Sequence, residues 1–307
     1  MRRGAVIAAA VTCLAVPILL GAEKVPSRAR TDFVELDAVV AADGDRLVRG
    51  LHQTDFEIKE DGRPVTVTHF AEVSAAGISG REDRRSVVLL LDDIGLSPRA
   101  TQAVQGIARL FMGRARPLDD VAVVRLSHHD DEAIGDLQEA LSRIDGYRSG
   151  AFPYFWRETV ENALKTVASV ARQLESLDEH RRKNIVCIGA RNVCDLYLQT
   201  PENAMAWSSW LDAISATARA NVAVYIVDPS GLRGQLDLGG GLVDQTGGDD
   251  FVASNNFERA VDRIWDEAGH YYLLGYTPTA RPRDLHTIEI KVKRAGLHAR
   301  ARQGRGD

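Results

Sequence analysis

Residues 86–93 read SVVLLLDD, an apolar run from Val87 to Leu91 that ends abruptly in two carboxylates, Asp92 and Asp93. A continuous run of this kind marks a strand buried on both faces, as happens in a parallel sheet covered by helices on either side. Three more segments share that character: DDVAVVRLS at 119–127, KNIVCIGA at 183–190 and NVAVYIVD at 221–228. Between them the apolar spacing becomes helical. Ala103, Ile107, Leu110 and Phe111 recur at that spacing after Pro98, and Val160, Leu164, Val167, Val170 and Leu174 line one side of 158–177. Residues 202–220 and 257–269 read as two further helices. Strands alternating with helices predict an α/β fold with a doubly wound, mostly parallel sheet, because parallel neighbours need crossovers.

Working outward, both flanks read as β. FVELDAVVAADGDRLVRGL (33–51) alternates around Asp43-Gly44, and DFEIKEDGRPVTVTHF (55–70) has Asp61-Gly62 at the tip of a second hairpin. Phe56 and Ile58 share one face of that hairpin, and Val65, Val67 and His69 share another. SAAGISGREDRR (74–85) is small and polar, a linker. After Gly269 come HYYLLGYTP, LHTIEIKVKR and LHARAR. Isolated hairpins are marginal in water, so the economical arrangement pairs strands from both ends of the chain into one small β unit. The expected organisation is a signal peptide over 1–22, hairpins and linker over 23–83, the α/β domain over 84–269 and C-terminal strands over 270–307. No internal repeat is visible.

Composition narrows the classes. The chain has 307 residues, 45% hydrophobic and 26% charged, which fits one large globular domain or two modest ones. With 6% aromatics, 26 Gly and 10 Pro it is neither collagen-like nor low-complexity. A net charge of −5 gives no basic surface for nucleic acid. Arg2 and Arg3 precede an uncharged run from Ala5 to Leu20 that closes on Gly21-Ala22, the pattern of a secretory signal peptide cleaved near Glu23. The alternative is an uncleaved N-terminal anchor, which would be the chain's one attachment to a membrane. Either way the expected location is exported, periplasmic or extracellular. Outside that segment the cysteines are Cys187 and Cys194. An oxidising compartment permits their pairing, while Cys187 in mid-strand also reads as core. Two cysteines without paired histidines are not a zinc framework.

Ligands of open parallel sheets sit beyond the carboxyl ends of the strands. Asp92, Asp93 and Ser97 follow the first strand, Ser127 to Asp131 the second, Gly189 to Asn192 the third and Asp228 to Gly231 the fourth. Carboxylates beside hydroxyls at such an edge suit Mg²⁺ or Ca²⁺. His128 and Asp130 are possible additional ligands, although a solvated polar loop is the simpler reading of the run His128-His129-Asp130-Asp131. Asp228-Pro229 reads as a turn with the carboxylate capping local amides. Thr246-Gly247-Gly248 is also a turn, since no buried strand leads into it with dinucleotide-binding spacing. Tyr271, Tyr272 and Tyr276 read as packing. The terminal Arg305-Gly306-Asp307 matches an integrin-binding tripeptide, but on a Gly-rich tail it is read as coincidence. Gly-x-Ser-x-Gly and His-Glu-x-x-His are both absent from the sequence, so no catalytic constellation is found.

The stretches GLHQTDFEIKEDGRPVTVTHF, VVLLLDD and ANVAVYIVDPSGL, the triplet Thr246-Gly247-Gly248 and the ending YYLLGYTPT together resemble the VWFA-related proteins of acidobacterial type, over about Asp32 to Arg302. The resemblance implies an exported chain built on a von Willebrand factor A-type (VWA) domain, with a Rossmann-like sheet and a role in adhesion or protein–protein recognition. It names no partner. It also implies a metal-ion-dependent adhesion site, Asp-x-Ser-x-Ser after the first strand, with a Thr and an Asp on later loops. Asp92 holds the Asp position, but Ile94 and Leu96 stand at the serines; the shifted frame Asp93-x-Gly95-x-Ser97 keeps one hydroxyl. Thr159 lies too deep in its helix, and Asp195 comes late after CIGARNVCD. The expectation is a protein-recognition module for an unknown protein or envelope partner. Its metal site would be degenerate, with no cofactor and Mg²⁺ or Ca²⁺ disfavoured. The alternatives are a divalent-metal-dependent ligand binder using Asp92, Asp93 and Ser97, or, with less support, a hydrolase at the same edge.

Overall fold

The computed structural model describes residues 33–44, 46–74, 84–127, 137–150, 156–177, 182–190, 193, 206–233, 241–278 and 286–305. The expected signal segment, Cys194, His128 and Asp130 lie outside them. The first five strands are β1 (Val34–Ala42), β2 (Arg46–Leu47), β3 (Phe56–Glu60), β4 (Arg63–Val65) and β5 (Val67–Val73). There follow β6 (Ser86–Leu91), α1 (Thr101–Arg114), β7 (Asp120–Arg125), α2 (Leu137–Gly146), α3 (Trp156–Glu175) and β8 (Lys183–Ile188). Then come α4 (Trp207–Ala220), β9 (Val222–Val227), α5 (Leu242–Thr246), β10 (Asp250–Phe251) and α6 (Phe257–Gly269). The chain ends with β11 (Tyr271–Tyr276), β12 (His286–Val292), β13 (Leu297–Arg300) and β14 (Gly304–Arg305).

The apolar runs form a five-stranded parallel sheet in the order β10-β9-β8-β6-β7. Every residue of β6, β8 and β9 is buried, which is why these segments read as continuous rather than alternating. Val88 and Leu90 face α3 and α4 through Leu164, Val167 and Ile214. Val87, Leu89 and Leu91 face α1, α2 and α6 through Ile107, Phe111, Ile144 and Ile264. Helices therefore cover both faces, and each fully buried Val or Leu contributes about 1.5–3 kcal/mol relative to exposure. The fold is thus mixed α/β with a parallel sheet at its centre.

Two helices have no counterpart in the periodicity analysis: the five-residue α5 and, longer, α2. Among the described side chains of its sequence, LQEALSRIDG, Ala140 and Ile144 are the buried apolar ones. What fixes it is tertiary. Arg143 Nη1 donates to the Val123 carbonyl at 2.6 Å, and Arg143 also pairs with Glu139 one turn earlier. The helix thereby covers the otherwise open edge of β7, a common protection of edge strands.

The flanking strands build two antiparallel sheets, ordered β13-β1-β11-β5 (with β2 on β1) and β14-β12-β3-β4. Asp61 and Gly62, at φ +50° and +74°, make the left-handed two-residue turn between β3 and β4. At Thr66 the chain leaves one sheet for the other: β4 pairs with β3, whereas β5 pairs with β11. That crossing separates Val65 from Val67 and His69, and His69 is exposed where Val67 is buried. β1 lies between β11 and β13, with Leu36 opposite Leu274 and Val40 opposite Ala299. Leu36, Ala38, Phe56, Ile58, Leu274 and Ile288 form the core between the two sheets. Tyr271, Tyr272 and Tyr276 are buried packing residues, and Tyr276 Oη donates to Glu60 at 3.0 Å.

Candidate functional site

Counted from the first strand of the parallel sheet, the order is 2-1-3-4-5, so the strand order reverses between β6 and β8. In open α/β sheets that reversal opens a crevice at the carboxyl ends, where ligands bind. Asp92 is the residue placed there. Its side chain is buried, and both oxygens accept backbone N–H groups: Oδ1 from Ile94 (3.2 Å) and Gly95 (2.6 Å), Oδ2 from Ala190 (3.0 Å). The Asp92 carbonyl accepts from Tyr147 Oη at 2.6 Å. Burial pushes the carboxyl up to about 6, and the Asp93 charge adds to the rise, while the three N–H donors act in the opposite direction.

Gly95 packs closely beside Val193 and the Asp92 carboxylate. A Cβ on Gly95 would meet Val193 Cγ2 at 2.5 Å and Asp92 Oδ2 at 2.8 Å. Ile94 and Leu96 lie buried in the two cores on opposite faces of the sheet. Asp93 turns toward β7, where its Oδ1 accepts the Ser127 N–H at 3.0 Å and its Oδ2 the Ser127 hydroxyl at 2.5 Å. Ser97 is exposed, and its carbonyl accepts the Ser149 hydroxyl at 2.7 Å. Ser149 Oγ also lies 2.9 Å from Thr101 Oγ1. Asp92, Asp93 and Ser97 thus share one edge but serve three separate loop contacts. Among the described residues no group of three or more His, Cys, Asp or Glu side chains is arranged to hold a metal ion. A divalent cation of this type needs about six oxygen ligands. A buried carboxylate engaged by three N–H groups and flanked by Ile and Leu does not fit that shell.

The turn after β9 is equally local. Asp228 Oδ1 caps the Ser230 N–H at 2.8 Å, closing the turn after β9. A cleft of about 550 Å³ lies elsewhere, between β2 and α6, and carries Arg46, Arg49 and Arg259 with Glu258, Asp262 and Asp266. Its mixed charges include the Asp262 carboxylate already paired with Arg114 at 2.7 Å.

Sequence reasoning passed over the apolar side of this edge. Trp207 opens α4, is 49% exposed, and stacks on Trp210 with ring centroids 5.1 Å apart and planes at 17°. Leu232, after β9, is 71% exposed. The signal was present as two tryptophans at a spacing of three, which puts them on one helix face. Cys187, on β8, is buried and disulfide-bonded.

No family model matches the chain, and no curated protein matches it. Among solved structures it is similar to the human COPII-coat protein Sec24c, with a TM-score of 0.35 and 9% identity over 77% of this chain. The match spans 46% of that protein's chain, just under half its length. A likeness this weak assigns neither a family nor an activity.

Proposed function

We propose that the chain is an exported recognition module of VWA type, with a Rossmann-like, doubly wound sheet, that binds a protein partner through the carboxyl edge of that sheet without a metal ion. The observation that carries this reading is the use of Asp92. The carboxylate at the metal position is spent on loop N–H groups at the strand-order reversal, while the same edge presents Trp207 and Leu232 to solvent. Trp, with Tyr and Arg, is enriched among binding hot spots. The disulfide at Cys187 agrees with an oxidising compartment, and no helix among the described residues is long and apolar enough to cross a membrane.

The test is capture from the envelope fraction of the source cells by the immobilised mature chain. Wild type and Trp207→Ala would be compared, each with and without a chelator. The reading requires a partner that is lost with Trp207→Ala and retained in chelator. A partner released by chelator and indifferent to Trp207 favours the second reading, a divalent-metal-dependent binder. Asp93, with the Ser127 hydroxyl on its carboxylate, would be the centre of that site.

A further inference from the structure

The face of β1 turned away from the antiparallel core meets the amino-terminal ends of β8 and β9. Asn221, the residue between α4 and β9, donates its Nδ2 to Asp37 Oδ2 at 2.6 Å. Arg182, just before β8, donates its backbone N–H to Tyr271 Oη at 3.2 Å. Arg302, after β13, bridges the seam by donating to the Glu35 carbonyl at 2.7 Å and to the Ala218 carbonyl. We propose that this seam is a proton-sensitive latch with Asp37 as its titrating group, holding the antiparallel unit more firmly in mildly acidic medium than at neutral pH.

The geometry supplies the reason. Asp37 is 3% exposed, and while Oδ2 has Asn221, Oδ1 is buried with no hydrogen-bond partner. A charged oxygen without a donor in a low-dielectric interior is costly, and adding a proton removes the charge. The nearby Arg182 and Arg302 act on the carboxyl through space rather than by hydrogen bonds, and the Arg182 Nε is itself buried without a hydrogen-bond partner. Arg182 gives Nη2 to Tyr225 Oη (3.0 Å) and to the Gly247 carbonyl (3.1 Å), and Tyr225 Oη in turn donates to Glu267 at 2.8 Å. The groups acting on Asp37 are therefore Glu35 on its own strand, Arg182 before β8, Asn221 before β9 and Arg302 after β13. Burial pushes the Asp37 carboxyl up to about 6; Arg182, Asn221 and Arg302 oppose the rise and Glu35 assists it. A carboxyl whose folded value lies above its unfolded one gives stability that is fully present below the unfolded value and lost as pH rises through the folded one. Asp37 thus strengthens the seam at pH 5 relative to pH 7.5.

The test uses the mature chain and its Asp37→Asn variant, whose amide cannot take up the proton. Urea unfolding at both pH values reads the folding constant, and hydrogen exchange of the β1 amides, corrected for intrinsic rates, reads the seam. The wild-type constant should fall about tenfold more than that of the variant between pH 5 and 7.5, with β1 protection falling correspondingly further in the wild type. Parallel pH profiles in the two proteins would overturn the latch. If Asp37→Asn does not fold, the carboxyl carbon of Asp37 is titrated by NMR in the wild type. A midpoint near pH 6 supports the proposal, and one below about 4.5 overturns it.

Discussion

Asp92 Oδ2 accepts the Ala190 N–H at 3.0 Å and so ties the end of β6 to the end of β8 at the point where the parallel strand order reverses. At that point the carboxylate is taken up by the chain's own N–H groups. The same carboxylate holds Ile94 and Gly95, so one side chain shapes two loops.

Asp92→Ala should lower stability by about 3 kcal/mol, because it strands several buried or half-buried N–H groups at about 1 kcal/mol or more apiece. Asp92→Asn keeps one acceptor oxygen but presents its amide toward either Ala190 or Gly95, and about 1–2 kcal/mol is expected. Urea unfolding of the three proteins at pH 7.5 measures both. A loss under 0.5 kcal/mol for the alanine variant (roughly the scatter of surface substitutions) would remove the carboxylate from its loop-organising role.

Gly95→Ala should also destabilise, by about 1–3 kcal/mol, since its Cβ would lie 2.5 Å from Val193 Cγ2. Trimming the neighbour makes the test specific. Val193→Ala alone should cost stability by leaving a cavity, yet in combination with Gly95→Ala it should cost less than the sum of the two changes. Strict additivity in that cycle would mean the two residues do not compete for space.

The parallel sheet was legible because burial on both faces writes itself as unbroken apolar runs, as in SVVLLL and KNIVCI. The turns at Asp43-Gly44 and Asp61-Gly62 were legible for a different reason: left-handed backbone narrows the residue choice. α2 was hidden because two buried residues make no stripe, and its anchor, Arg143 to Val123, is a contact between distant elements. The crossing at Thr66 was hidden too, since alternation continues through it while the partner strand changes. At the candidate site, the sequence identified Asp92 and the apolar intruders Ile94 and Leu96. It could not supply Ala190 or Tyr147 as partners, because nothing in one segment records which loop of another folds onto it.

Acid stability should pass through a maximum. Burial raises Asp92 and Asp37 to about 6 each, so their contributions are complete below the unfolded carboxylate range and decline as pH rises through 6. Asp119 acts in the opposite sense. Burial works to raise it, but the Arg85 and Arg116 guanidiniums outweigh that and hold it down to about 2. Its contribution is present above the unfolded range and is lost as pH falls toward 2. Thermal unfolding from pH 2 to 8 should therefore show highest stability near the unfolded carboxylate value, at about pH 3.5–4, and a decline from there through pH 6. A monotonic rise to pH 8 would contradict the raised pair.

Cys187 should be found linked to Cys194. It is disulfide-bonded, and of the chain's two other cysteines, Cys13 falls in the segment expected to be removed on export. Non-reducing peptide mapping of exported protein decides the pairing, and a Cys194 peptide recovered alkylated without reduction would refute it. A closed loop of this size contributes about 2.5 kcal/mol by the chain-entropy relation, so reduction should lower the unfolding midpoint measurably.

Added Mg²⁺ or Ca²⁺ should leave the melting temperature nearly unchanged in both wild type and Asp92→Ala. The reasoning is a count of oxygens against a count of donors. Ile94 and Leu96 supply no ligand and are buried in opposite cores, and the Asp92 oxygens are engaged by N–H groups of Ile94, Gly95 and Ala190. An ion would have to break those bonds before gaining a carboxylate. Asp93 remains half-buried beside Ser127 and with water could hold an ion weakly. At millimolar affinity and an equal ion concentration that adds only about 0.4 kcal/mol. Micromolar binding by calorimetry, abolished by Asp92→Ala, would show instead that the loop opens to admit the ion. Restoring the serines by Ile94→Ser with Leu96→Ser is the complementary trial. It should lower stability by several kcal/mol, because it removes two buried side chains from two cores. It should add little metal affinity, because the N–H groups around Asp92 stay in place.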